Sequence, residues 1–189
     1  MIDTKTELMV RAEDLVRGRG YSGFSYADLS EAVGIRKASI HHHFPTKELL
    51  VATVLRNYTE RYATALVRIE THYKDALDRF DAYGRLYLTG VDKGLGCLCA
   101  ALSAELETLP DSLRLGTVSF FQAHIAWIDR IYAEGLQRKE VNGALEAGEA
   151  ARMVVASLEG ALMMERLLAG RKGFDMTLSA IRKSLSPYL

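Results

Sequence analysis

Leu29-Ser30-Glu31-Ala32-Val33-Gly34-Ile35-Arg36-Lys37-Ala38-Ser39-Ile40 is the stretch on which the reading of this chain turns. Leu29, Ala32 and Val33 recur at helical spacing and give a short helix one apolar face. Gly34 ends that helix, because glycine takes the positive φ of a tight turn without a Cβ penalty. A second short helix runs from about Lys37 to Phe44, where Pro45 forbids its continuation. Leu29, Val33, Ile35 and Ile40 are spaced to close a miniature core, and Ser30 is small where the two helices cross. Two short helices joined by a tight glycine-containing turn form the core of a helix-turn-helix. The same hairpin also serves purely structural roles, so the spacing alone leaves both open.

Outward from this hairpin, helical periodicity continues in both directions. Upstream, residues 3–19 read as an amphipathic helix with Asp3 as N-cap and Leu8, Ala12, Leu15 and Val16 inward. Gly18, Gly20 and Gly23 turn the chain, and Ser25 with Asp28 has the spacing of a capping box. Downstream, Thr46 caps a helix reaching about residue 72 on Leu49, Leu50, Val54, Tyr58, Tyr62, Leu66 and Ile69. Further helices are expected at about 75–92, 97–108, 111–138, 146–169 and 175–186, with Gly94, Gly96, Gly143, Gly170 and Gly173 at the joints. No stretch alternates with period two. The predicted fold is all-α, with about nine helices.

Composition narrows the function classes. The 189 residues are 49% hydrophobic and 25% charged, enough apolar material for a substantial core. Lys+Arg and Asp+Glu are equal at 24 each, so bulk attraction to a polyanion is absent. Residues 1–47 hold seven Lys/Arg against six Asp/Glu, so a case for DNA rests on local placement. The start Met1-Ile2-Asp3-Thr4-Lys5 carries no apolar signal region, and no run approaches the roughly 18 apolar residues of a membrane span, so a cytoplasmic protein is expected. Cys97 and Cys99 make no disulfide framework. No Ser/His/Asp order, paired carboxylates, metalloprotease motif or phosphate loop points to an enzyme, and no cofactor is implied. Adjacent helix residues point about 100° apart, so His41, His42 and His43 cannot converge on one metal ion.

The run Ile40-His41-His42-His43-Phe44-Pro45-Thr46-Lys47-Glu48-Leu49-Leu50 follows Gly20-Tyr21, Phe24-Ser25 and Ala32-Val33-Gly34-Ile35. Together these resemble the signature of the TetR family of repressors over roughly residues 6–50. The resemblance implies a three-helix DNA-binding domain at 1–47 and a helical effector-binding and dimerisation domain at 48–189. It implies a homodimer on a palindromic double-stranded operator, whose effector is a small molecule or an electrophile. Carried over position by position, it places Arg36, Lys37, Ala38 and Ser39 toward base edges in the major groove. His41 and His42 fall where the family has aromatic side chains facing DNA. Ser25, Tyr26, Thr46 and Lys47 complete the expected contact set, the caps pointing amides at phosphates and Lys47 adding a charge. A helical protein-interaction module without DNA binding is the other class, and an enzyme the remoter one.

For the second domain, the resemblance matches the helices near 146–169 and 175–186 to the family's four-helix dimer interface. Met153, Val154, Leu158, Ala161 and Leu162 form one stripe there, and Leu178, Ile181 and Leu185 another; packing within one subunit is the alternative. Tyr83, Tyr87, Phe120, His124, Trp127 and Met163 are candidates for a pocket taking an apolar or aromatic effector, with ordinary core as the alternative. The run Gly96-Cys97-Leu98-Cys99-Ala100-Ala101-Leu102-Ser103-Ala104-Glu105 is similar to electrophile-sensing TetR repressors of the N-ethylmaleimide-responsive type, which places Cys97 at their reactive position. A helix N-terminus would raise its thiolate fraction, and modification would shift the helix. A buried structural cysteine is the alternative.

Histidine at position 41, where the family commonly has tyrosine, generates a prediction. Histidine as a residue type changes charge near neutrality, so operator affinity is expected to fall between pH 6 and pH 8 more than for relatives with tyrosine there. Fluorescence anisotropy checks this: His41→Tyr should flatten the profile, and a flat wild-type profile would refute it.

Overall fold

The computed structural model describes residues 3–168 and 170–187, and the regular elements within them are all helices. They are α1 (Thr4–Arg19), α2 (Tyr26–Val33), α3 (Lys37–His43), α4 (Lys47–His72), α5 (Ala76–Arg85), α6 (Leu88–Lys93), α7 (Leu98–Ser103), α8 (Asp111–Arg138), α9 (Ala147–Glu165) and α10 (Arg171–Leu185). None is long and apolar enough to cross a membrane.

Ten described helices stand where about nine are expected, because the span 75–92 breaks. The amides of Leu86 and Tyr87 bond to Tyr83 and Gly84 at 3.0 and 3.1 Å, three residues back instead of four. That tightening separates α5 from α6. The helix expected at 97–108 stops at Ser103 for the same reason, since Glu105 N turns back to the Leu102 carbonyl at 3.1 Å. α9 ends at Glu165, and Ala169, the last residue of its expected span, lies outside the described residues. α10 begins at Arg171, so Gly173 stands inside a helix and not at a joint.

The helix starts follow their side chains. Asp3 accepts from the amides of Lys5 and Thr6 at 2.9 and 3.2 Å. Ser25 Oγ accepts from Ala27 N at 3.1 Å while Asp28 accepts from Ser25 N at 2.8 Å, completing the capping box.

The chain divides into two compact units. The first comprises Met1–Arg61 and Cys97–Phe120. In it α1 packs on α2 and α7, and α2 on α3. Leu8, Ala12, Val16, Phe24, Leu29, Ile40, Phe44, Leu50 and Leu102 are buried there. Ala32 and Leu49, expected inward, are exposed, and Leu15 and Val33 are half-buried. Glu13 accepts both bonds of Arg61 at 2.9 Å and one from Arg17 at 3.3 Å, and both guanidinium groups lie over the Tyr58 ring. This joins α1 to α4.

The second unit comprises Tyr62–Gly96 and Phe121–Leu189. α10 packs on α9, α5 and α6. Val154, Leu158, Ala161 and Leu162 on α9, with Leu178, Ile181 and Leu185 on α10, are buried inside this one chain. Apart from Met153, which is half-buried, the two stripes considered for a dimer interface are therefore internal packing, with Leu158 and Leu178 both lying against Gly84 of α5. Asn142 secures the end of α10, its side-chain amide donating to Ser184 and Ser186 carbonyls at 2.7 and 3.0 Å.

Gly23 offers a test of the first unit. A Cβ built there would stand 2.0 Å from the main-chain oxygen of Arg19, which cannot swing away as a side-chain tip could. Gly23→Ala should destabilise the protein by about 2 kcal/mol in denaturant titration. An unchanged midpoint would refute the close approach.

Candidate functional site

The hairpin is closed more tightly than its spacing shows. Gly34 has φ 76° and ψ 28°, in the left-handed region. Its amide and that of Ile35 both bond to the Ser30 carbonyl, at 2.9 and 3.2 Å, while Ser30 Oγ donates to the Ile35 carbonyl at 2.5 Å. Ser30 is thus a hydrogen-bonding clamp on the turn as well as a small residue. Ile40 is fully buried and fixes one side of α3. Arg36, Lys37, Ala38, Ser39, His41 and His42 remain exposed, and His43 is half-buried. A seven-residue helix so held presents Lys37 and several hydrogen-bonding groups to solvent, with Arg36 at its N-cap.

The remaining members of the expected contact set divide. Ser25 is exposed and caps α2, and Thr46 Oγ1 accepts from Leu49 N at 3.1 Å at the start of α4. Tyr26 and Lys47 instead direct their polar ends into the first unit. Tyr26 OH donates to the Phe44 carbonyl at 2.8 Å, its ring meets His41 edge-on at 4.9 Å, and burial pushes its pKa up to about 12. Lys47 Nζ donates to the Phe24 carbonyl and lies 4.6 and 4.4 Å over the Tyr21 and Phe24 rings. Burial lowers its pKa. It is a staple between α4 and the turn before α2, not the free point charge expected from sequence. His41 Nδ1 lies 3.3 Å from the Pro45 carbonyl, so a proton on that nitrogen leaves Nε2 outward.

Cys97 stands at the N-cap of the six-residue α7 and is 4% exposed. Tyr58 OH donates to its Sγ at 3.7 Å. Cys99 is fully buried, and neither cysteine is in a disulfide. Electrophile access to Cys97 is closed in this conformation.

In the second unit four of the six pocket candidates meet. Tyr83 OH lies 2.9 Å from His124 Nδ1 and 3.3 Å from Tyr87 OH, and Tyr87 OH donates to Glu159 Oε1 at 3.2 Å. Tyr83 stacks on Trp127 at 5.7 Å and Tyr87 on Phe174 at 6.1 Å. Trp127 Nε1 donates to Glu70 at 2.7 Å, and Arg130 holds the same carboxylate at 2.6 Å. The other two candidates stand differently. Phe120 belongs to the first unit, 5.6 Å from the Tyr58 ring, and Met163 is 59% exposed. Glu159, Glu70 and Phe174 carried no sequence signal, because Glu159 lies 72 positions along the chain from Tyr87 and Glu70 lies 57 from Trp127. Burial drives the His124 pKa down to about 4, so the ring is neutral near pH 7. Among the described residues no group of His, Cys, Asp and Glu could hold a metal ion.

Comparison with known proteins agrees with this geometry. Residues 8–54 match the family described as "Bacterial regulatory proteins, tetR family", and residues 76–181 match "Tetracyclin repressor-like, C-terminal domain". The chain is 24% identical to the HTH-type transcriptional repressor DhaR of Mycobacterium sp. (strain GP1), over 97% of this chain and 92% of that one. It is similar to a TetR-family regulator structure from Agrobacterium tumefaciens, with TM-score 0.91, 27% identity and coverage of 96% and 97%. The fold is shared with the reduced form of E. coli NemR, with TM-score 0.83, 22% identity and 98% of each chain covered.

The buried imidazole predicts a pH dependence of stability. With its pKa at about 4 in the folded chain and near 6.5 when unfolded, the unfolded state binds the proton first. Stability is therefore full above pH 6.5 and falls by roughly 3 kcal/mol as pH drops toward 4. Urea unfolding at pH 7 and pH 4.5 checks this, and His124→Gln should abolish that part of the slope.

Proposed function

The chain belongs to the TetR family of bacterial regulatory proteins, and on that membership we propose that it acts as a homodimeric repressor released from a palindromic duplex operator by a small apolar or aromatic effector. It is a DNA-binding transcriptional regulator. The observation that carries the proposal is α3, anchored by fully buried Ile40 and presenting Arg36, Lys37, Ala38, Ser39, His41 and His42 outward. Arg36 and Lys37 at its N-terminal end suit guanine edges and phosphates, with Ser39 and Ala38 reading adjacent groups. Ser25 and Thr46 open the flanking helices toward the backbone. In this division residues 1–47 read DNA and 48–189 bind effector and partner, in the cytoplasm. Catalysis plays no part in the proposed function.

The effector site is placed at Tyr83, Tyr87, His124 and Trp127, where aromatic walls surround a short chain of hydroxyl, imidazole and carboxylate groups. Effector binding there stabilises a conformation that no longer fits the operator. Dimerisation is placed on α9 and α10, but through residues other than the buried stripes. Met163, Met164, Leu167, Leu168 and Met176, exposed by 52–87% near the junction of these helices, are the apolar side chains that would meet the partner. The electrophile reading through Cys97 needs an opening that exposes its thiol, because Cys97 is buried and its Sγ accepts from Tyr58 OH.

The test is selection of duplexes from a random pool by the purified protein, followed by affinity against salt. Arg36→Ala should weaken the selected site about tenfold, and Lys37→Ala should reduce the salt slope by about one. Salt-insensitive binding, or no enrichment, would refute DNA reading by α3.

A further inference from the structure

Between α1 and α2 the chain turns through residues 20–24, and two distant side chains hold that turn. From one side Lys47 Nζ donates to the Phe24 carbonyl. From the other, Glu105 reaches in from the turn that follows α7, and its Oε2 accepts from the Ser22 amide at 2.8 Å. A Cβ on Gly20 would stand 2.0 Å from Glu105 Oε1, so the carboxylate lies directly against the bare glycine. Gly20 has φ 84°, which also favours glycine there. Burial works to raise the Glu105 carboxyl, but bonds from the Ser22 hydroxyl and from the Ser22 and Tyr21 amides, with the charge of Lys47, outweigh it, and its pKa is lowered. An ionised carboxylate is thus seated on main-chain amides, with glycine beneath it and a cation opposite.

The position of this seat matters because Ser25, the N-cap of α2, follows the turn at once, and α2 carries α3 through the Gly34 turn. We infer that Glu105 is a positioning residue for DNA recognition: it holds the turn before α2 by its amides, so that α2 and α3 keep the orientation in which α3 meets DNA. The inference rests on the DNA-binding reading above. It adds a residue outside the helix-turn-helix to the set that determines operator affinity. It also makes the segment after α7 a place from which movement would reach α2, since a bond to backbone amides transmits displacement directly. Glu105 touches no base or phosphate in this role and acts through the turn alone.

The experiment compares wild type, Glu105→Ala and Glu105→Gln by affinity for a selected operator, affinity for an unrelated duplex, and hydrogen exchange. Losing a charge-assisted bond should lower operator affinity about tenfold in the alanine variant, while affinity for the unrelated duplex stays within about twofold. Exchange at Tyr21 and Ser22 should quicken about tenfold, with amides of α9 and α10 unchanged. Glutamine keeps an acceptor oxygen and should recover most of the loss. Equal losses on both duplexes, operator affinity within about twofold of wild type, or a glutamine variant no better than alanine would each overturn the inference. Should the alanine variant fail to fold, Glu105→Met, which keeps the bulk and removes both acceptor oxygens, takes its place: faster exchange at Ser22 with weaker operator binding supports the seat, and wild-type exchange and affinity overturn it. If wild type enriches no duplex, the DNA-binding reading fails, and exchange at Ser22 still decides whether Glu105 holds the turn.

Discussion

Main-chain polar groups that leave a helix must find partners, and in the first unit that requirement organises everything around residues 20–47. The turn before α2 contains two glycines and supplies few side chains of its own to hold it. Its amide at Ser22 goes to Glu105 and its carbonyl at Phe24 to Lys47. The carbonyl of Phe44, at the end of α3, goes to Tyr26, and that of Ile35 to Ser30. Each bond joins a loop to an element that the loop alone could not specify. With the loops so tied, one buried isoleucine is enough to aim a seven-residue helix.

This accounting explains why Tyr26 and Lys47 face inward. Both stand beside surface positions suited to DNA, yet their polar ends meet main-chain carbonyls that would otherwise be left without a partner. Of the contact set proposed for DNA, the groups left exposed are those of Arg36, α3 and the caps at Ser25 and Thr46. A chain of zero net charge can therefore present a local cationic edge, because its charges elsewhere are consumed in pairs such as Glu13 with Arg61 and Glu70 with Arg130.

In the second unit the organising feature is a buried polar chain instead of a turn. Desolvation keeps His124 neutral, so Tyr83 meets an imidazole that can accept as well as donate. Tyr87 passes the chain on to Glu159, and stacked aromatic rings enclose it. A cluster built this way is aromatic in bulk but carries a few polar groups of fixed orientation.

Local signals were legible in the sequence wherever a residue acts on its own neighbourhood. Asp3, Ser25 with Asp28, Gly34 and Pro45 mark helix ends by chemistry that operates within four residues, so the starts of α1 and α2 and the hairpin itself could be read directly. The breaks at Leu86 and after Ser103 could not, since weakly helical segments yield to tertiary packing. Nor could the fate of apolar stripes: Leu158 and Leu178 show helical spacing whether they face another chain or their own, and only the fold buries them within one subunit. The same holds for Cys97, whose spacing is the same whether its thiol is open or buried and bonded to Tyr58. The sequence by itself determined an all-helical chain with a helix-turn-helix near its start. Which polar groups remain outward, which stripes are internal and that Glu105 meets Ser22 were decided by tertiary structure, because contacts across tens of residues leave no periodicity in the chain that makes them.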